Sequence, residues 1–202
     1  MTHQPALPPL LVLTDRSQLH LGRGLLPTLA ECREAGLTHV VLRELDESPA
    51  QRTALALALA GLGLTVIAAH TPLPGTAGLH LPAGAPSGHR ATPLGRSCHT
   101  RAEVASAAAE GCDYATLSPY AATDSKPGYG PVLPAGELAD HPIPVYALGG
   151  ITATNAAEAV AAGAYGVAVM GAVMRAADPA AVVADLLAAL GARGARDRTV
   201  PV

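Results

Sequence analysis

The chain has 202 residues, half of them hydrophobic, with a net charge of −3 and a pI near 6.2. That length lies near the lower limit for a barrel and suits one domain around one core. No run of Lys and Arg is long enough to track a nucleic-acid backbone, and with Phe and Trp absent and five Tyr in all, stacking on bases is not expected either.

Short runs of Val, Ile and Leu alternate with Ala-rich stretches of helical length, the pattern of repeated βα units around a parallel sheet. Strands are predicted at 10–14, 39–43, 65–69, 78–81, 93–97, 114–118, 144–148 and 166–170. Helices are clearest at 24–35, 48–60, 101–110, 152–162 and 179–190. Ser48-Pro49 and Asp178-Pro179 read as an N-cap followed by Pro at the first helical position, and Gly36, Gly61, Gly111, Gly163 and Gly191 mark the stops. Eight units in this length leave about 25 residues each, which demands trimming. Thr71-Pro72-Leu73-Pro74-Gly75 shows where, because it cannot form a full helix. The expected fold is therefore a small single-domain (β/α)8 TIM barrel over 1–191, followed by a flexible tail at 192–202. An open doubly wound sheet shares the alternation, but the strand count and the absence of GxGxxG favour closure. With so few aromatic residues, the interior is expected to be filled by Ala, Leu and Val.

Cys32, Cys98 and Cys112 lack CxxC or zinc-type spacing and suit free thiols in a reducing compartment, which predicts a cytoplasmic protein. No uncharged apolar stretch reaches 18 residues, and the Pro-rich start is not basic-then-apolar, so neither a membrane span nor a secretion signal is indicated.

The residues with chemical promise fall at predicted strand ends. Gly149-Gly150 follows the seventh strand and Gly171-Ala172-Val173 the eighth, where bare backbone N–H groups can approach an anion and where barrels commonly build a phosphate site. Thr123, Ser125 and Lys126 lie in a Pro- and Gly-rich loop after the sixth strand, with hydroxyl donors and one mobile cation. Arg43-Glu44 ends the second strand. Arg43 can pair with an anionic substrate, while Glu44 is a general base or the partner that orients Arg43. His70, His80 and His99 stand near the ends of the third to fifth strands without interleaved carboxylates, so no metal site is expected from them.

In order along the chain, Leu13-Thr14-Asp15-Arg16, Leu42-Arg43-Glu44, Gly78-Leu79-His80-Leu81, Gly95-Arg96-Ser97-Cys98-His99-Thr100, Asp113-Tyr114, the 123–126 loop and both glycine loops resemble the thiamine-phosphate synthase and TenI-like thiazole tautomerase family. The resemblance covers nearly the whole chain and implies a small barrel enzyme of thiamine biosynthesis acting on a small phosphorylated heterocycle. The thiazole phosphate would be held by Gly149, Gly150, Gly171, Ala172 and Val173, with Arg43, Ser97, Thr123, Ser125 and Lys126 around it.

Synthases also bind a pyrimidine diphosphate through Mg²⁺. Where they place Gln and Lys around the Arg-Glu pair, this chain has Val41 and Leu45; where they place Asn-Asp after the third strand, it has Ala68, Ala69 and His70; and 82–87 carries no acid. Mg²⁺ prefers oxygen ligands, carboxylates above all, so these departures favour a TenI-like tautomerase, with no cofactor. The histidine that such tautomerases use is replaced by Pro119, leaving His70 or Glu44 as the expected proton-transfer group. The alternatives are a synthase joining the two heterocycles, with Mg²⁺ in that case only, and a non-catalytic regulator that kept the phosphate grip. Whether the barrel pairs with a second copy of itself stays open.

Overall fold

The computed structural model describes residues 7–20, 22–85, 88, 91–122, 132–134 and 136–194. Eight parallel strands form a closed barrel in sequence order: β1 (Leu10–Leu13), β2 (His39–Leu42), β3 (Thr65–Ala69), β4 (Gly78–Leu81), β5 (Leu94–Cys98), β6 (Tyr114–Leu117), β7 (Val145–Leu148) and β8 (Gly166–Val169), with β8 pairing back onto β1. The helices are α1 (Leu25–Glu34), α2 (Pro49–Gly61), α3 (Arg101–Ala109), α4 (Ala153–Ala161), a single turn α5 (Gly171–Met174) and α6 (Pro179–Gly194). The expected TIM barrel is thus the fold. α6 continues through Gly191, where a stop was predicted, and 195–202 lie outside the described residues.

Local chemistry accounts for the boundaries. At α2, the Ser48 hydroxyl accepts from the Gln51 N–H while the Gln51 side chain reaches back to the Ser48 N–H, and Pro49 sits where no N–H is needed. The Thr100 hydroxyl accepts from the Glu103 N–H to start α3. The Pro-rich 71–75 segment links β3 to β4 without a helix, as its composition demanded.

Alternation along each strand divides the apolar residues into two shells. The outer shell, including Leu10, Val12, Val40, Leu42, Val66 and Leu79, packs on Leu29, Leu59, Val104 and Leu186 of the helices. The inner shell holds Leu11, Leu13, Val41, Ile67, Ala69, Ala168, Tyr114 and Tyr146. The expectation of a purely aliphatic centre is corrected here: the largest fully buried side chains are Tyr114 and Tyr146, set edge to face with ring centroids 5.6 Å apart. The volume they need comes from neighbouring glycines. A Cβ on Gly95, which faces Tyr114 in register, would overlap the tyrosine ring, and one on Gly166 would lie 3.0 Å from Tyr146 Cε1.

A buried phenol needs a partner, and the Tyr146 hydroxyl donates to the Pro8 carbonyl at 2.6 Å; the exposed Tyr165 hydroxyl donates to the Leu7 carbonyl at 2.7 Å. These bonds tie the segment entering β1 to β7 and the start of β8. Gly95→Ala should destabilise the protein by about 3 kcal/mol or more, because overpacking a full interior costs about 1–3 kcal/mol even when neighbours can shift. A urea midpoint equal to that of the wild type would refute this account of the interior.

Candidate active site

The C-terminal strand ends place charge on the β1–β3 side of the mouth and bare backbone on the β7–β8 side. Arg43, half-buried after β2, directs Nη1 to Met170 Sδ at 2.8 Å, with Asp15 Oδ2 3.9 Å away, and its N–H donates to Thr14 Oγ1. A cleft of about 190 Å³ lies beside it, lined by Thr14, Asp15, Arg43, Glu44, Leu45 and Asp46. Hydrogen bonds from Ser17 and Gln18, together with the nearby Arg43 charge, outweigh partial burial and hold the Asp15 carboxyl below its ordinary range.

Glu44 is buried with φ +30, and its two carboxylate oxygens accept from the Arg16 backbone N–H at 3.2 and 3.1 Å. The Arg16 guanidinium adds a contact at 3.3 Å and also reaches Asp46 and Glu47. Of the two roles open to Glu44 from sequence, the geometry supports the structural one, with Arg16 rather than Arg43 as the partner. It ties the loop after β1 to the loop after β2.

His70 is exposed at the end of β3 with φ +66, and its N–H donates to the His80 carbonyl. Partial burial and then the charges of Arg43 and Arg52 lower its basicity, so it stands neutral near pH 7. Arg52, reaching up from α2, donates to the Ala69 carbonyl at 2.6 Å, the Leu42 carbonyl at 3.4 Å and Thr71 Oγ1 at 3.0 Å. It caps the ends of β2 and β3 with a buried cation.

Beneath the mouth, His80 lies inside the barrel. Its Nε2 is 3.0 Å from Ser97 Oγ and its Nδ1 is 3.1 Å from the Tyr114 hydroxyl, with the two rings stacked at 5.5 Å. Burial, above all, pushes its pKa down to about 3. Thr116, opposite Ser97 in register, is fully buried with no partner for its hydroxyl among the described residues.

On the far side, Gly149 (φ +94) and Gly150 (φ +65) take a backbone path that side chains resist. A Cβ on Gly150 would come 2.6 Å from the Ala121 carbonyl oxygen, and one on Gly149 would come 3.2 Å from Pro119 Cα. Pro119 therefore packs on the glycine loop. Asn155 holds that loop by donating to the Gly150 carbonyl while its own oxygen accepts from the Thr152 N–H.

After β8, α5 opens at Gly171-Ala172, whose N–H groups lead the helix and have no partner within it. Val173 is buried, and its N–H is taken by the Met170 carbonyl, so it contributes packing rather than a free donor. The guanidinium of Arg175 lies where a Gly171 side chain would stand and donates to Gln18 Oε1 at 2.5 Å. Sequence reading missed Arg175, and the absent side chain at Gly171 was the available signal. Thr123, Ser125 and Lys126 lie outside the described residues. Among those described, no group of three or more His, Cys, Asp and Glu could hold a metal ion, and no helix is long and apolar enough to cross a membrane.

A family model described as thiamine monophosphate synthase matches residues 78–173, from β4 into α5. A putative thiamine-phosphate synthase of Geobacter sulfurreducens is 38% identical, over 91% of this chain and 95% of its own length. The chain belongs to the thiamine-phosphate synthase/TenI family. It is accordingly an enzyme of thiamine-biosynthesis type. A thiamine-phosphate synthase of Methanoculleus marisnigri is 42% identical over 52% of each chain. In fold, the barrel is similar to a thiamine phosphate pyrophosphorylase from Pyrococcus furiosus, with a TM-score of 0.78, 23% identity and coverage of 91% of this chain and 95% of that one. The relatives carry the synthase name rather than the tautomerase name that the rim substitutions favoured.

Two outcomes follow for the site. Glu44→Gln should lower stability by about 2 kcal/mol, since the Arg16 N–H loses a charged acceptor, while ligand affinity measured by calorimetry stays within about twofold; a large affinity loss without a stability change would instead make Glu44 a substrate group. His80 has an ordinary pKa of 6.5 unfolded and about 3 folded. Between those values the unfolded chain binds the extra proton, so this contribution is complete above pH 6.5 and is lost as pH falls, by up to about 1.4 kcal/mol per pH unit. Urea midpoints measured from pH 7 to 4.5 should show that slope reduced in His80→Gln; an unchanged slope would rule the assignment out.

Proposed function

We propose that the chain is a transferase of the thiamine-phosphate synthase type, joining a phosphorylated thiazole to a pyrimidine carried on diphosphate. The observation that carries this reading is the 38% identity to a putative synthase over nearly the full length of both chains. The two glycine loops support it: the N–H groups of Gly149, Gly150, Gly171 and Ala172 receive the thiazole phosphate, with Arg175 alongside. Arg43 faces the diphosphate across the mouth, and Ser97 orients a heterocycle between them. The family resemblance adds Thr123, Ser125 and Lys126 as further groups around the thiazole phosphate.

Mg²⁺, which the synthase resemblance implies, does not fit the described rim. The end of β3 offers Ala69 and His70 beside the cations Arg43 and Arg52, and 82–85 carries no carboxylate. Charge on a departing diphosphate is instead balanced by Arg43 and Lys126.

The second reading, a TenI-like proton transfer on a thiazole phosphate, is favoured by His70, an exposed imidazole kept neutral at the mouth and able to take a proton. Diphosphate release from the two synthase substrates, assayed with and without Mg²⁺, separates the readings. The expected result is release under both conditions, with kcat/KM lowered about ten- to hundredfold in Arg43→Ala, the range for one charge-assisted contact. No release, with ring-proton exchange that His70→Ala abolishes, would replace the first reading by the second. Tight binding of the thiazole phosphate with neither reaction would leave a regulator. Gly150→Ala should raise KM for the thiazole phosphate more than for the pyrimidine diphosphate, because the new Cβ displaces the loop at Ala121.

A further inference from the structure

We propose that Tyr114 and His80 form a one-way hydrogen-bond chain that frees the Ser97 O–H to donate toward the mouth, where it meets an acceptor atom of the substrate. His80 and Tyr114 are positioning residues in this scheme, and only Ser97 touches substrate.

The direction follows from counting protons. Tyr114 is fully buried, and burial raises its pKa, so it keeps its single O–H. Among the described residues, the recorded hydrogen-bond partner for that hydroxyl is His80 Nδ1 at 3.1 Å. His80 stays neutral, with one N–H and one lone pair. If Nδ1 carried the proton, the buried phenol would be left without an acceptor, which folded proteins avoid. Nδ1 therefore accepts from Tyr114, Nε2 carries the hydrogen, and Nε2–H donates to Ser97 Oγ at 3.0 Å. With one lone pair of Ser97 occupied from below, its own O–H is free to donate outward from the end of β5. A serine held this way does not take a proton from the ring beneath it or give one to it. It orients: its O–H is free to donate to a ring nitrogen or a phosphate oxygen, and one lone pair remains beside it.

The proposal rests on the proposed heterocycle site only for the identity of the acceptor, so its polarity is tested separately. Two-bond ¹H–¹⁵N correlation of the histidine rings in the intact protein should show His80 protonated at Nε2 from pH 5 to 8. Tyr114→Phe keeps the ring that fills the space above Gly95 and should weaken that preference, giving a mixture of tautomers. A wild-type ring protonated at Nδ1 or at both nitrogens, or a Tyr114→Phe ring that remains wholly in the Nε2–H form, would overturn the chain.

Calorimetry with thiazole phosphate should show binding about tenfold weaker in Ser97→Ala and about two- to threefold weaker in Tyr114→Phe, the scale of one hydrogen bond. The double variant should be no worse than Ser97→Ala, whereas a merely structural Tyr114 would give additive losses. Loss with thiazole phosphate but not with inorganic phosphate places the acceptor on the ring, and equal loss with both places it on the phosphate. No loss with either overturns the donor role. If the wild type binds neither probe, the functional reading fails and the nitrogen spectrum alone decides the chain.

Discussion

The contact on which the barrel most depends is the Tyr114 ring lying in the volume that a side chain at Gly95 would fill. Few residues here are large, so two tyrosine rings share the centre with the branched side chains of Leu11, Leu13, Val41 and Ile67. That ring packs edge to face with Tyr146 and stacks on His80, which makes a polar group part of the interior scaffold. The polar column from Tyr114 through His80 to Ser97 is thus built from atoms that also pack the interior.

The two sides of the mouth are made by opposite means. Around β7 and β8, side chains are withheld and the backbone is left bare, and the loops are braced from behind by Pro119, Asn155 and Arg175. Around β1 to β3, long side chains crowd in: Arg16 engages Glu44, Asp46 and Glu47, Arg52 spans the ends of two strands, and Arg43 reaches across to Met170. The first arrangement suits any phosphate ester. The second is a rim of paired charges, in which Arg16 and Arg43 stand against Asp15, Glu44, Asp46 and Glu47.

Much of the architecture was legible because it is local. Pro and Gly punctuation and Val-rich runs located all eight strands to within a residue at most ends, and the missing helix after β3 was visible in Pro72 and Pro74. The glycine loops were legible for the same reason. Glu44 was not, because a carboxylate at a strand end reads alike whether it faces a ligand or accepts from an N–H 28 residues earlier. His80 carried a signal that a stricter use of alternation would have caught: Leu79 and Leu81 both belong to the outer shell, which leaves His80 pointing inward. The choice between tautomerase and synthase rested on a few substituted positions, whereas the relationship to the synthases is spread along the whole chain.

The pairing of β1 with β8, reinforced by Tyr146 and Tyr165 gripping the residues before β1, gives the protein a long-range dependence in time as well as in space. A chain leaving the ribosome exposes β1 first, yet its partner edge is made nearly last. Until β8 emerges, both edges of the growing sheet stay open to wrong partners, and the second glycine loop, which follows β8, is not yet made. Closing the sheet and bringing the two glycine loops side by side are thus one event, late and of high contact order. A chain stopped before β8 is therefore not a weaker binder but a sheet with two unprotected edges.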